Sequence, residues 1–267
     1  MATTPAETTP AGDDPTGEDS RLLEGAVVAV AGAGGPAGQA ALLRLAQAGA
    51  VVAAADTDAS RLAQAVDAAR FAHGGATVVG DTVDLLDPAA TRDWAERTRK
   101  EFGRVDGLVH LVGGWRGGSG LDESSLEHWD ALYPPLVRTV QHTSVAFRDA
   151  LLASGGRGRY LLVSAAGAAK PTAGNAAYAA AKSAAEAWTL ALADAFRKAG
   201  TPEAGPPAAA AILVVKALVH DAMRAERPQA KFAGFTDVRE LAEAVVDTWR
   251  RPAEEVNGNR LWLTPKA

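Results

Sequence analysis

AVVAVAGAGGPAGQAALL, residues 26–43, is the stretch that decides the fold of this 267-residue chain. Its first six residues are small or β-branched apolar side chains, which is typical of a buried parallel strand. Gly32, Gly35 and Gly38 follow in the spacing G-x-x-G-x-x-G, and an apolar helical pattern begins after them. Glycines allow a tight turn whose N–H groups reach a pyrophosphate, and the start of a helix favours its negative charge. This order predicts a dinucleotide-binding unit, the alternative being a connection that binds nothing.

Strand-like and helix-like segments alternate along the rest of the chain. Short apolar runs suited to buried strands lie at Ala26–Ala31, Val51–Ala55, Thr77–Val79, Gly107–Val112, Arg159–Val163, Ala210–Val215 and Arg260–Leu263. Helical stretches lie between them, at Pro36–Ala48, Ala59–Ala72, Pro88–Phe102, Ser125–Ala153, Ala176–Lys198 and Val238–Arg250. This alternation predicts an α/β fold, a single Rossmann-type doubly wound parallel sheet of about seven strands with helices on both faces.

Composition and charge narrow the class of protein. The chain is 48% hydrophobic and 22% charged, with a net charge of -5, which is ordinary for a globular domain and gives no polyanion-binding signature. We therefore expect no nucleic acid partner, and no membrane partner because the apolar run 208–215 stops at Lys216. The absence of cysteine excludes thiolate metal sites, so we expect no metal and a cytoplasmic location. Residues 1–24 are predicted to form a disordered leader and residues 25–267 the folded domain.

A carboxylate follows the second predicted strand. Asp56 stands eighteen residues after Gly38. A carboxylate at this place is suited to bond a ribose 2′-hydroxyl and to repel a 2′-phosphate. Neither residues 33–35 nor Thr57 offers a basic side chain for that phosphate. We therefore expect NAD rather than NADP, with a solvated loop acid or a helix cap as the alternative for Asp56.

Tyr178 and Lys182 stand four residues apart at the end of SAAGAAKPTAGNAAYAAAK, residues 164–182. This alanine-rich run is predicted to be helical, which places both side chains on one face. An ammonium beside a phenol favours the phenolate and lowers the tyrosine pKa toward neutral pH. The pair is a candidate acid/base site, although taken alone it also fits an ordinary half-exposed helix.

The combined pattern resembles the short-chain dehydrogenase/reductase family over roughly residues 25–265. The resemblance rests, in chain order, on Gly32–Gly38, Asp56, Asp84-Leu85, Leu108–Gly113, Tyr178 and Lys182. It implies that Tyr178 is the general acid/base, and that Lys182 lowers its pKa and holds the nicotinamide ribose. It also implies that Asp84 contacts the adenine, with Leu85 and Gly113 as further cofactor residues, and that the protein is a homodimer or homotetramer built on its long helices.

The sequence departs from the family's pattern at the catalytic serine and at the relay asparagine. The serine position, thirteen residues before the tyrosine, is Ala165. Ser164 is a poor substitute because neighbouring side chains on a strand point to opposite faces. The asparagine position is Leu136, and Pro134-Pro135 just before it are expected to break or kink the helix. Losing one preorganised donor costs on the order of 10²–10³ in rate, so ordinary carbonyl reduction needs a substitute.

Several residues are candidates for that substitute or for substrate binding. The family's N-N-A-G segment is His110–Gly113 here, and its P-G turn is Lys216-Ala217. Candidate replacements near the site are His110, His142, Asn175, Lys216 and His220. In the glycine-rich loop 113–120 an arginine suits an anionic substrate group and a tryptophan suits an apolar one, so we predict Trp115, Arg116 and Lys216 as substrate residues. His128, Trp129 and Tyr133 either extend that pocket or pack on a helix face. Loop 113–120 and the segment 220–235 are expected to be mobile.

Three functions remain open on the sequence alone. The first is an NAD(H)-dependent oxidoreductase acting on a small alcohol or ketone through Tyr178 and Lys182. The second is a family member with non-redox acid/base chemistry, such as a cyclisation, dehydration or isomerisation. The third is a non-catalytic subunit that assembles with an active relative.

Overall fold

The computed structural model describes residues 21–264. The predicted leader therefore lies outside the described residues as far as Ser20. Within its last four residues, Leu23 is fully buried and donates its backbone N–H to the Ala48 carbonyl at 2.8 Å. Within residues 21–264, contact with the hydrophobic core thus begins at Leu22, which packs against the core cluster that contains Leu23.

A seven-stranded parallel sheet forms the centre of the molecule, as the sequence predicts. Its strands are β1 (Val27–Ala31), β2 (Val51–Asp56), β3 (Val78–Thr82), β4 (Gly107–His110), β5 (Gly158–Ala165), β6 (Ala208–Val215) and β9 (Arg260–Trp262). Their spatial order is β3-β2-β1-β4-β5-β6-β9, so the chain reverses its direction of growth between β1 and β4. Such a switch point opens a crevice at the carboxyl ends of the strands. A small parallel pair, β7 (Leu218–Val219) with β8 (Thr236–Asp237), was not predicted.

Helices cover both faces of the sheet. They are α1 (Pro36–Gln47), α2 (Ala59–Ala72), α3 (Pro88–Phe102), α4 (Ser124–Tyr133), α5 (Thr139–Leu152), α6 (Ala176–Ala199), α7 (Asp221–Glu226), α8 (Val238–Asp247) and α9 (Ala253–Val256). Helices α1, α2 and α8 bury their leucines and valines on one face, while Trp94, Phe147 and Phe196 of α3, α5 and α6 fill the other. Among the helices of residues 21–264, none combines the length and the apolar character needed to cross a membrane.

Pro134 and Pro135 do not break the helix, which is one of the two outcomes, a break or a kink, that the sequence predicts. Residues Pro134–Arg138 form a π-helical turn that joins α4 to α5, with the N–H of Thr139 donating to the Pro134 carbonyl five residues back. The Thr139 hydroxyl donates to the Pro135 carbonyl at 2.7 Å. Prolines lack the N–H and crowd the preceding turn of an α-helix. The wider turn accommodates both rings, and a side-chain hydroxyl satisfies one of the carbonyls.

Candidate functional site

The first and last glycines of the glycine-rich turn after β1 are each required for a different physical reason. Gly32 has φ +82°, and a Cβ there would lie 2.8 Å from the Val112 backbone nitrogen. At Gly38 a Cβ would lie 2.4 Å from the Gly32 carbonyl oxygen, so only glycine lets α1 pack against the turn. These two glycines hold the backbone in the shape that a phosphate-binding turn requires.

The start of α1 has the character of an anion site. Its N-cap is Gly35, which has no side-chain cap, and Pro36 occupies the first turn. A Cβ built at Gly35 would make only an ordinary contact, at 3.8 Å from the Gly32 carbonyl oxygen. Free backbone N–H groups at a helix N-terminus attract negative charge.

Asp56, at the end of β2, is anchored beside this turn. Its carboxylate accepts hydrogen bonds from the N–H of Gly34 at 2.9 Å and from the N–H of Asp58 at 3.0 Å. A cavity of about 210 Å³ opens next to it and brings together four of the predicted cofactor residues, namely Gly32, Asp56, Asp84 and Leu85. Asp84 turns its carboxylate onto the N–H of Leu86 at 2.9 Å. Gly113 follows β4 and is exposed.

Arg61 is a residue of this cleft that the sequence reasoning missed. A Cβ built at Gly34 would lie 3.1 Å from both the Arg61 Cβ and the Asp56 carboxylate, so the first turn of α2 lies beside the glycine-rich turn. The Arg61 Nε pairs with Asp58 at 2.8 Å. In the sequence, basic side chains were considered only at residues 33–35 and 57. Arg61 stands five positions after Asp56, and the first turn of α2 places it beside Gly34.

Tyr178 and Lys182 lie on one face of α6, as predicted. The Lys182 ammonium is 5.9 Å from the centre of the Tyr178 ring. It donates to the Val163 carbonyl on β5 at 2.8 Å, and the lysine is only 6% exposed. The helix thus holds a buried cation beside a phenol at the carboxyl edge of the sheet.

The pKa values of the pair differ from the expectation. Burial raises the pKa of Tyr178 to about 12 rather than lowering it. Burial also lowers the pKa of Lys182 to about 8, while the carboxylate of Glu186 acts in the opposite direction. The ammonium is directed at a carbonyl rather than at the phenol oxygen, so desolvation governs the tyrosine. The phenol of Tyr178 is therefore protonated at neutral pH.

Leu136 explains part of that desolvation. Leu136 is 2% exposed and lies in the apolar cluster against which Tyr178, Trp129 and Tyr133 pack. Ala165 is 4% exposed at the end of β5. Trp129 and Tyr133 stack with ring centres 5.5 Å apart, so helix-face packing accounts for them. Aliphatic side chains thus occupy both positions where the family's pattern has polar ones.

A buried polar network lies one turn further along α6. Glu186 is 6% exposed and accepts a hydrogen bond from the Ser164 hydroxyl at 2.6 Å and one from the Arg260 Nε at 2.7 Å. Ser164 is therefore committed to Glu186 and does not replace the missing serine. The only sequence signal for Glu186 was its spacing of four residues from Lys182, which continues the face of Tyr178 and Lys182.

His110 is part of a second buried network. Its Nε2 is 3.1 Å from the Thr139 hydroxyl and its Nδ1 is 3.2 Å from the Thr143 hydroxyl. Each hydroxyl also has a backbone acceptor, the Pro135 carbonyl for Thr139 and the Thr139 carbonyl for Thr143, so these contacts fit both neutral tautomers of His110. Burial, and then the charge of Lys182, lower the pKa of His110 to about 3. The histidine is a neutral tether between β4 and the π-helical turn.

The remaining candidate replacements are held by structural contacts. The Nδ1 atom of His142 lies 2.9 Å from the Leu85 carbonyl oxygen. The side-chain Oδ1 of Asn175 accepts a hydrogen bond from the backbone N–H of Thr172 at 2.6 Å. Lys216 donates to the Ala233 carbonyl at 3.1 Å. His220 precedes α7 and lines a different cavity, between α1 and α8. The structure therefore brings none of these four into contact with Tyr178 through a hydrogen bond within residues 21–264.

The two loops expected to be mobile have ordered contacts. Gly118 donates its N–H to the Gly174 carbonyl at 2.9 Å, which docks loop 113–120 on the turn before α6. Trp115 lies against Gly117 and is 68% exposed, and Arg116 is exposed. The segment 220–235 contains α7 and a T-shaped pair of Phe232 and Phe235.

Comparison with known proteins places the chain in a family. The chain is 32% identical over 108 residues to (2S)-[(R)-hydroxy(phenyl)methyl]succinyl-CoA dehydrogenase subunit BbsD of Thauera aromatica, over 40% of this chain and 42% of that protein. Subunit BbsC of the same organism is 36% identical over 86 residues, which is 32% of this chain and 34% of that one. The matched region thus spans less than half the length of these relatives.

Among solved structures, a short chain dehydrogenase from Burkholderia cenocepacia J2315 in complex with NADP is 27% identical, with a TM-score of 0.75 over 91% of this chain and 98% of that one. The sequence model of the short chain dehydrogenase family matches residues 26–201, which is well over half of the chain. This protein therefore belongs to the short chain dehydrogenase family.

Proposed function

We propose that this protein is an NAD(H)-dependent oxidoreductase that interconverts a small alcohol and its ketone. The observation that carries the proposal is the pairing of Tyr178 with the buried ammonium of Lys182 at the same sheet edge as the glycine-rich turn. In this proposal the glycine-rich turn holds the pyrophosphate, and the cavity beside Asp56 holds the adenosine end of the dinucleotide. The nicotinamide then lies beside Tyr178 and Lys182. A nicotinamide dinucleotide bound there would supply or take up the hydride.

In this proposal the protein's own residues handle the proton. Tyr178, with its pKa raised to about 12, donates a proton to the carbonyl oxygen in the reducing direction. Lys182, with its pKa lowered to about 8, is mostly charged at pH 7 and stabilises the phenolate that this transfer leaves. Glu186 supports that charge from the next turn of the helix.

The missing donor at Ala165 sets the expected rate. The substrate oxygen receives a hydrogen bond from Tyr178 but no hydroxyl from position 165. Removing one preorganised donor costs on the order of 10²–10³ in rate. We therefore expect a slow enzyme unless the substrate supplies a compensating group.

The relatives guide the choice of substrates to test. Both curated relatives are named as subunits of a dehydrogenase acting on a succinyl-CoA thioester with a benzylic hydroxyl group. Trp115 is exposed on the loop after β4 and suits an aromatic or apolar group, and Arg116 beside it suits an anionic one. Aryl-substituted secondary alcohols, free and as hydroxyacyl thioesters, are the first compounds to assay.

The proposal assigns the cofactor residues Gly32, Gly35, Gly38, Asp56, Asp84, Leu85, Gly113 and Lys182, with Trp115, Arg116 and Lys216 on the substrate side. NAD is favoured because the Asp56 carboxylate lies where a 2′-phosphate would be repelled. Arg61 beside Gly34 is the group that would weaken this preference. We also propose a cytoplasmic homodimer or homotetramer, since Val145 of α5 and Trp188 of α6 are exposed on the long helices.

The test has two parts: a measurement of cofactor binding, and a measurement of turnover by Tyr178→Phe, which lacks only the phenol oxygen. NAD, NADH, NADP and NADPH are titrated by calorimetry, and Gly38→Val, whose side chain would collide with the turn, is the control that should not bind. With a turned-over substrate, Tyr178→Phe is expected to lower kcat about 10²–10⁴-fold with cofactor affinity unchanged. Full turnover by Tyr178→Phe would refute the mechanism, and no binding of any dinucleotide would refute the function.

A second candidate is a non-catalytic subunit that assembles with an active relative. Buried aliphatic side chains at both Ala165 and Leu136 favour it, and both curated relatives are named as subunits. Under this reading the purified protein binds the dinucleotide but turns over nothing until a partner chain is added. Turnover by the isolated chain rules it out.

A further inference from the structure

A basic cavity lies at the opposite edge of the sheet from Tyr178. It has a volume of about 450 Å³ and opens where β5 begins, between the residues before β1 and those after α8. Among the described residues, five arginines line it, namely Arg21, Arg157, Arg159, Arg250 and Arg251, together with a single carboxylate, Glu24. In a chain with a net charge of -5 this is a strong local concentration of positive charge.

Arg159 forms the floor of this arginine cavity. The residue is 2% exposed, and its guanidinium donates to the carbonyls of Thr248, Gly156, Gly158 and Arg251 at 2.8–3.2 Å. A guanidinium has five N–H donors, so these four bonds leave one free. All four acceptors are neutral, so no contact of Arg159 within residues 21–264 neutralises its charge.

The neighbouring side chains add to the uncompensated positive charge around Arg159. Arg157 is half-buried beside Arg159, and together with burial its like charge lowers the pKa of Arg159 to about 10. Within residues 21–264, neither Arg157, Arg159 nor Arg251 has a carboxylate partner, and Arg250 pairs with Asp247 outside the cavity wall. A buried charge without a counter-charge is costly, and a second cation beside it adds to the cost.

We propose that the arginine cavity is a binding site for a phosphate group, either free or carried as a monoester. A dianionic phosphate supplies the missing counter-charge and three acceptor oxygens for converging guanidinium donors. The cavity is larger than a phosphate alone, which leaves room for the organic part of a monoester. The site is separate from the dinucleotide cleft because it opens at the amino ends of the strands. This proposal does not depend on the proposed oxidoreductase activity.

The test measures the unfolding temperature of the full-length protein at pH 7 in sodium chloride and in phosphate of matched ionic strength. Because a ligand of the folded state stabilises it by mass action, phosphate is expected to raise the midpoint in a saturable way. Glycerol 3-phosphate is the monoester probe, and tighter binding than inorganic phosphate would identify a monoester as the ligand.

Two charge-matched variants separate this site from the glycine-rich turn, which also attracts phosphate. Arg157→Gln is expected to weaken phosphate binding about tenfold or more, since charge-assisted hydrogen bonds are the strong ones. Arg61→Gln, beside the turn, is the comparison variant and should weaken phosphate binding less than Arg157→Gln does. Arg251→Gln replaces Arg157→Gln if that variant fails to fold.

Equal losses in Arg157→Gln and Arg61→Gln would overturn the proposal. Phosphate that stabilises no better than chloride would also overturn it.

Discussion

Replacing Lys182 with methionine is expected to change how the stability of the protein depends on pH. The change keeps the length of the side chain and removes the buried ammonium that donates to the Val163 carbonyl. In the folded protein burial lowers the pKa of this lysine from its ordinary 10.5 to about 8. At neutral pH the buried charge therefore lowers the free energy of unfolding of the wild-type protein, and Lys182→Met carries no such charge.

The size of this effect follows from proton linkage. Between pH 8 and 10.5 the unfolded chain still binds the lysine proton, whereas the folded protein has released it. The free energy of unfolding therefore rises with pH across this window. One pKa unit corresponds to about 1.4 kcal/mol, so between pH 8 and 9.5 the wild type should gain about 2 kcal/mol relative to Lys182→Met. Tyrosine ionisation in the unfolded chain is common to both proteins and cancels in this comparison.

Urea denaturation at pH 7, 8 and 9.5 measures this difference directly. Lys170→Met, which removes an exposed lysine, is the matched control and should follow the wild type. Parallel stability curves for the wild type and Lys182→Met would show that the ammonium is not desolvated, and would refute the role given to its burial. The same variant should lose the proposed activity, because no cation then faces the phenolate of Tyr178.

Two further substitutions test neighbouring parts of the site. Ala165→Ser adds a hydroxyl at the end of β5 and is expected to raise kcat on the order of 10²–10³-fold, measured with any substrate that the wild type turns over; an unchanged rate would mean that the missing donor does not limit the reaction. His110→Asn should flatten the acid side of the stability curve. Because the folded histidine has a pKa of about 3, the wild type should lose about 2 kcal/mol between pH 6.5 and 5, and equal slopes in urea titrations would contradict its burial as a neutral group.

Local chemistry made much of the fold predictable. The apolar runs and glycine-rich turns predicted all seven strands of the sheet, with ends that differ from the observed ones by three residues at most. The turn Gly32–Gly38 and the pair Tyr178 and Lys182 were also predictable, because each depends on spacing within one or two elements. The π-helical turn was not predictable, since the properties of proline alone indicate a break or a kink. The helix continues because the N–H of Thr139 donates to the Pro134 carbonyl five residues back.

The candidate site was less predictable where its parts are far apart in the chain. Glu186 is linked to Ser164 and Arg260, which are 22 and 74 residues away, so its role as the support of Lys182 required the packing of α6 against β5 and β9. Arg61 beside Gly34 and the arginines around Arg159 were missed for the same reason.

By itself, the sequence determined the order of strands and helices, the glycine-rich turn, the acid at Asp56 and the tyrosine–lysine pair, because these depend on periodicity, backbone freedom and residue type. Only the tertiary structure decided the protonation of that pair. Whether a phenol beside an ammonium is activated depends on how much water each retains and on where the N–H donors point. In this protein Leu136 and its neighbours exclude water from Tyr178, and the Val163 carbonyl takes the lysine's hydrogen bond. Desolvation therefore raises the pKa that the spacing alone would lower.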